Sequence, residues 1–254
     1  TQSRSSAASD VYKRQVTLNR GTFPTNGSSS ALSFSSTVPG SDLNYYRLNI
    51  RQKYYRPLTE TLVFGFSGEI GYLKAFGDTT ETPFFQNFYA GGPKSLRGFE
   101  SNTLGPRSTE APCYEFNYTD GTCPDLLDTD GDGIPDEPYY NPYANSEYNQ
   151  RVSIGGNIKV EGSMQLIFRL PFIEDQRSMR SALFFDFGNV FSDTCKEYQF
   201  NCAKPSIEDL RYSYGVGVTW ITGFGPMSFA ISKPTNAGPF EETKEFQFTV
   251  GNVF

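Results

Sequence analysis

Apolar and polar residues exchange places one by one along most of this chain, in runs of roughly ten to fifteen residues. Nowhere does the three-to-four-residue repeat of an amphipathic helix replace that alternation. A side-chain period of two belongs to the β-strand, whose successive residues point to opposite faces. In residues 60–74, Leu62, Phe64, Phe66, Ile70 and Tyr72 share one face, against Thr61, Gly65, Ser67, Glu69 and Gly71. In residues 155–170, Ile158, Val160, Met164, Leu166, Phe168 and Leu170 oppose Asn157, Lys159, Glu161, Ser163, Gln165 and Arg169. Residues 211–221 set Tyr212, Tyr214, Val216, Val218 and Trp220 against Ser213, Gly215, Gly217 and Thr219. The last run, 245–254, sets Phe246, Phe248, Val250 and Phe254 against Gln247, Thr249 and Gly251.

Soluble strands usually stop after about five or six residues, whereas a tilted strand crossing a bilayer takes about nine to eleven. One face here is Leu, Phe and Val; the other carries Lys, Glu, Arg and Gly. Lipid outside and water inside ask for that division, while a soluble β-sandwich would turn the same apolar faces inward. The predicted fold class is therefore all-β, an antiparallel transmembrane β-barrel fragment of about eight strands. Loop lengths alternate in the same sense: residues 171–178 and 222–225 are short connections, 192–210 long and 234–244 intermediate. Outer-membrane barrels place short turns in the periplasm and long loops outside.

Composition narrows the function. No run approaches the eighteen apolar residues of a helical membrane span. A net charge of −6 leaves no basic stripe for nucleic acid, which is not expected as a partner. The chain has no histidine, which removes Ser-His-Asp and Cys-His catalysis and every His-dependent metal site; the expectation is that it is not an enzyme. The four cysteines form two local pairs, Cys113/Cys123 and Cys195/Cys202, which read as loop-closing disulfides of an oxidising compartment. Residues 5–15 (SSAASDVYKRQ) resemble a translated adapter sequence, so 1–15 are set apart and 16–254 treated as barrel.

Residues 77–150 form the longest predicted loop, extracellular by parity, far beyond an ordinary connection. Near its start stands Arg97, between apolar Leu96 and the pair Gly98-Phe99. By itself the Arg97-Gly98-Phe99 tripeptide reads either as a surface turn with a solvated arginine or as a guanidinium inside the structure, which would need a carboxylate partner. In residues 179–190, Leu183, Phe185 and Phe187 take the lipid face, which turns Arg180, Phe184, Asp186 and Gly188 to the lumen. Asp186 is thereby a carboxylate of the lumen face.

A set of motifs carries a family resemblance over residues 18–254: NRGTFPTNG at 19–27, PGSD at 39–42, NFYAGG at 87–92, LRGF at 96–99 and SNTLGP at 101–106. PF at 171–172, FFDFGNVF at 184–191 and the closing EFQFTVGNVF at 245–254 follow in order. By these the chain resembles the C-terminal half of the barrel of the BamA family of outer-membrane protein assembly factors, in the bacterial surface antigen superfamily. The resemblance implies eight of sixteen strands in the bacterial outer membrane and assembly of β-barrel proteins without chemistry. It also implies an LRGF loop (Leu96, Arg97, Gly98, Phe99) folded back into the lumen, its arginine facing acids of the inner wall, of which Asp186 is the expected partner and Glu161 and Glu69 weaker candidates. One departure is Gln165, which occupies a position that is often acidic in the family. The terminal strand, with Phe246, Phe248, Val250, Gly251 and Phe254, resembles a β-signal and one side of a lateral gate. Implied partners are outer-membrane lipids, nascent β-barrel substrates and assembly-complex lipoproteins, the last through N-terminal POTRA domains. Two other readings are a two-partner secretion transporter of the same superfamily and a passive porin or adhesin barrel.

Asp128, Asp130, Asp132 and Asp136 lie in DTDGDGIPD, a spacing of hard oxygen ligands that suits Ca²⁺. An EF-hand would need Glu where Tyr139 stands, so the stretch reads either as a thrombospondin-type calcium loop or as a solvated acidic loop. No cofactor is required, and Ca²⁺ would serve only to stiffen this loop.

Overall fold

The structure, a computed structural model, describes residues 8–38, 41–107, 153–170, 178–195, 199, 201–238 and 241–251. Its strands are β1 (Ala8–Val16), β2 (Gly27–Thr37), β3 (Tyr45–Pro57), β4 (Leu62–Ala75), β5 (Gly98–Phe99) and β6 (Ile158–Phe168). They continue as β7 (Met179–Phe191), β8 (Arg211–Thr222), β9 (Gly225–Thr235), β10 (Thr243–Lys244) and β11 (Phe246–Val250), and a single 3₁₀ turn spans Phe84–Gln86. Nine of these strands form one sheet in the order β1-β2-β3-β4-β6-β7-β8-β9-β11, each antiparallel to its neighbour; β5 and β10 pair separately. This is the meander of a barrel wall, with β1 and β11 as its two edges among the described residues.

The sheet has one strand more than the alternation predicted. That strand is β1, drawn largely from the segment set apart at residues 1–15, and it pairs with β2 from Ala8↔Thr37 to Val16↔Ser29. Val11 and Tyr12 are adjacent and both exposed, so no clean period of two marks it.

Elsewhere alternation sets the faces. On β7, Leu183 and Phe185 are 47% and 40% exposed while Phe184 and Asp186 between and beside them are 4% and 0%. Leu32, Ile50, Ile70, Met164, Val216 and Trp220 continue the outward apolar belt. Rings of Phe34, Tyr46, Tyr72 and Phe76 line up near the end that carries the long loops, with neighbouring centroids 6.0–6.4 Å apart.

A barrel wall that is apolar outside has little apolar surface of its own to pack inside. The β4–β6 connection supplies it. Phe88, Ala90, Leu96, Phe99 and Leu104 from that loop pack on Tyr45, Leu73 and Val190 of the wall. Phe88 lies flat where Gly71 leaves room, its ring also 4.3 Å beneath the Arg47 guanidinium carbon. The two arms of the loop meet at a neck formed by the bridges Phe88↔Gly156 and Arg107↔Ser153, with the Ile154 amide donating to Pro106 O at 3.0 Å.

Candidate functional site

The tip of the inward loop is built by short-range turns. The Ser95 amide donates to Gly92 O and the Gly92 amide to Leu96 O, both at 3.1 Å. The turn throws Leu96 and Phe99 into the apolar cluster and leaves Arg97 facing the wall. Gly98 has φ +89, a region L side chains rarely adopt, and a Cβ there would meet Ser232 Oγ at 3.1 Å and Ser213 Cβ at 3.3 Å. The tip therefore lies tight against β8 and β9.

Arg97 and Asp186 meet in a two-pronged pair. Arg97 Nε donates to Asp186 Oδ2 and Nη2 to Oδ1, each at 2.7 Å, and the Arg97 amide adds a bond to Oδ2 at 3.2 Å. Nη2 also donates to Ser163 Oγ at 3.0 Å, and the guanidinium carbon sits 3.4 Å from the centroid of the Phe184 ring. Arginine's planar fork matches a carboxylate in this geometry, and the ring face beneath it favours the cation. At 4% and 0% exposure the two groups are dry. Removing one partner strands the other charge, at a cost of about 3–5 kcal/mol.

The other lumen acids have their own partners. Glu69 accepts from Asn49 Nδ2 at 2.8 Å and Arg51 Nη2 at 3.0 Å. Glu161, directly opposite Glu69 in the β4–β6 register, accepts from Ser95 Oγ at 2.5 Å. Lys159 Nζ bridges the two, 3.6 Å from Glu69 and 3.1 Å from Glu161. Gln165 lies one step away from the arginine, donating to Ser163 Oγ at 3.3 Å.

The same tip is joined to the terminal strand. β5 pairs with β10 through Thr243↔Phe99 and Lys244↔Gly98, and the Glu100 amide donates to Glu242 O at 2.8 Å. Gln247, 2% exposed on β11, accepts from the Gly98 amide at 3.3 Å and donates Nε2–H to Phe99 O at 2.7 Å. Lys244 Nζ lies 2.9 Å from Glu100. That ammonium, and then the Ser101 amide, hold the Glu100 carboxyl below the usual carboxylate range. Farther out, Arg211 Nε donates to Glu241 Oε2 at 2.7 Å, where the Gly238 amide also donates at 2.7 Å. Burial pushes the Arg107 guanidinium below its ordinary value, with Glu241 and Glu242 opposing that shift.

Of the terminal-strand residues, Phe246, Phe248 and Val250 face outward and are exposed. Gly251 follows at φ +81, its amide donating to Pro226 O at 2.7 Å. Cys195 and Cys202 are disulfide-bonded. Phe254, Cys113, Cys123 and the aspartates Asp128, Asp130, Asp132 and Asp136 lie outside the described residues. Among the described residues no group of three or more acidic or cysteine side chains is placed to hold a metal ion.

Ser163, Phe184, Gln247 and the β10 segment are site residues that the sequence reading did not single out. Alternation puts Ser163, Phe184 and Gln247 on the lumen face, but a neutral side chain on that face carries no further mark.

Comparison with known proteins supplies the family. The Omp85 superfamily domain matches residues 12–254. The outer membrane protein assembly factor BamA of Neisseria meningitidis serogroup B is 32% identical over 250 residues, covering 91% of this chain and 27% of that protein. The crystal structure of BamA from Haemophilus ducreyi lacking POTRA domains 1–3 superposes with a TM-score of 0.71 at 30% identity, covering 96% of this chain and 42% of that one. The chain thus spans about a quarter of the length of its curated relative.

Proposed function

This chain belongs to the Omp85 superfamily, whose members are β-barrel proteins of the outer membrane, and from that premise we propose that it is part of an outer-membrane protein assembly factor. In this reading it inserts nascent β-barrel proteins by templated strand pairing and local disturbance of the bilayer, without nucleotide or covalent chemistry. The loop tip at Leu96–Phe99 acts as a latch held by Arg97 on Asp186, and residues 245–254 form one side of a lateral gate. Substrates and accessory lipoproteins are received with the help of POTRA domains elsewhere in the full-length protein.

The observation that carries the reading is the dry bidentate Arg97–Asp186 pair. A buried ion pair is a poor way to gain stability and a good way to specify one arrangement of two segments. Among the described residues the terminal strand spans five residues, against eleven to fourteen for its fellow sheet strands β2–β4 and β6–β9, and lies at the sheet edge. An edge strand with few ladder bonds is the natural place for another strand to add.

The test is complementation of a strain depleted of its own assembly factor by the full-length protein. Arg97→Ala and Asp186→Ala each lower the yield of folded, heat-modifiable barrel substrates at least tenfold, the scale expected for loss of a buried partner. Wild-type yields from both variants would remove the latch from the mechanism.

A further inference from the structure

We infer that Gln247 is a positioning residue that makes the loop tip and the terminal strand a single mechanical unit. The inference rests on the proposed roles of the loop as latch and β11 as gate, and it concerns how the two communicate.

Gln247 treats the loop as a neighbouring strand would. Its carboxamide accepts from one backbone amide, Gly98, and donates to the next backbone carbonyl, Phe99. That pattern fixes the carboxamide orientation, because a flipped amide would set donor against donor and acceptor against acceptor. Three residues upstream, β10 pairs with the same two loop residues by its backbone. The tip is thus tied to the terminal segment at both 243–244 and 247.

One residue away, Arg97 is anchored to Asp186. β7 is a thirteen-residue strand flanked by complete ladders to β6 and β8, so Asp186 is the fixed end. A strut therefore runs β7–Arg97–Gly98–Phe99–Gln247–β11 across the lumen side of β8 and β9, without using their ladders. Gly98 fits this path only because it has no Cβ; Ser213 and Ser232 lie directly beneath it. Displacement of β11 from β9 must either break the Gln247 bonds or draw the tip off Asp186. Two events linked by one strut bias each other equally, so loosening the latch loosens the strand, and the reverse.

Hydrogen exchange of the β11 amides, measured on the full-length protein in lipid nanodiscs, tests this. Gln247→Leu removes both bonds at similar volume, and Arg97→Lys removes the fork. Each is expected to raise β11 exchange about tenfold, the scale of one to two net hydrogen bonds. The double variant should exceed the larger single effect by less than threefold, since both changes break the one path from β7 through Gln247 to β11 and the β10 pairing is common to all variants. Exchange in the β6–β7 ladder should stay at the wild-type rate in Gln247→Leu, which a general loss of barrel stability would not allow. Gln247→Glu keeps the acceptor for Gly98 and loses the donor, and should fall between wild type and Gln247→Leu; it serves as the decisive variant if the leucine protein does not fold. Wild-type β11 exchange in the glutamate or leucine variant, or effects that multiply in the double variant, would overturn the inference. The reading beneath it fails separately: non-additive exchange together with full substrate assembly by Arg97→Lys would keep the strut and discard the latch.

Discussion

At the scale of the residue, the fork of Arg97 on Asp186 makes a demand of shape as well as charge. Lysine would keep the cation but offer no planar pair of donors, and Asp186→Asn would keep the shape but lose the charge. Asp186→Asn, which strands the guanidinium, should destabilise the refolded full-length barrel by about 3–5 kcal/mol in urea titrations, and Arg97→Lys, which keeps the charge but loses the fork, by about 1–2 kcal/mol. Phe184→Leu, which removes the ring but keeps an apolar wall, should cost about 1–2 kcal/mol. The exposed Glu100–Lys244 pair behaves differently. The folded-state pKa of Glu100 is depressed, so its contribution is present above the ordinary carboxylate value and lost as pH falls through the lower folded value. Proteolytic cleavage of the loop tip should therefore rise only as the pH falls below the ordinary carboxylate value, and Glu100→Gln should give cleavage that no longer depends on pH in that window. The pairing of Arg97 with Asp186 was legible because strand parity turns Asp186 to the lumen and the LRGF resemblance brings Arg97 there. Ser163 and Phe184 were not, since only the fold brings a hydroxyl and a ring from neighbouring strands under one guanidinium.

At the scale of the element, period two did most of the work. It assigned the outward and inward faces of β4, β6, β7, β8 and β11, and with them the apolar belt. It was not applied to most of β1, which lies in the adapter-like segment set apart at residues 1–15, and it had no means of finding β5 and β10, each two residues long. A two-residue pairing exists only because the loop has already been brought against the wall, so it leaves no local pattern to read. The face assignment makes a direct prediction. Val216 lies mid-strand on the lipid face of β8. Val216→Arg should lower the unfolding free energy of the full-length barrel in lipid by about 2–4 kcal/mol, and the same substitution near a strand end on that face by about 1 kcal/mol or less.

At the scale of the whole molecule, the described residues form a wall with two edges and an apolar outer face, packed inside by a loop. Such an object has no way to hide either edge or belt in water. The isolated 254-residue polypeptide should scatter light within minutes of dilution from denaturant into buffer. In detergent above its micelle concentration the scattering should fall while strand content by circular dichroism remains; a clear monomeric solution in buffer would contradict the assignment of the faces. The neck of the long loop has a different consequence. Phe88↔Gly156 and Arg107↔Ser153 close the inward-folded arm before the chain reaches residue 108 and after it leaves residue 152. Whatever is spliced between those positions is topologically a pendant, and the entropy of closing a pendant grows only slowly with its length. An epitope spliced between Arg107 and Ser153 is accordingly expected to lengthen the pendant and leave Arg97 on its carboxylate.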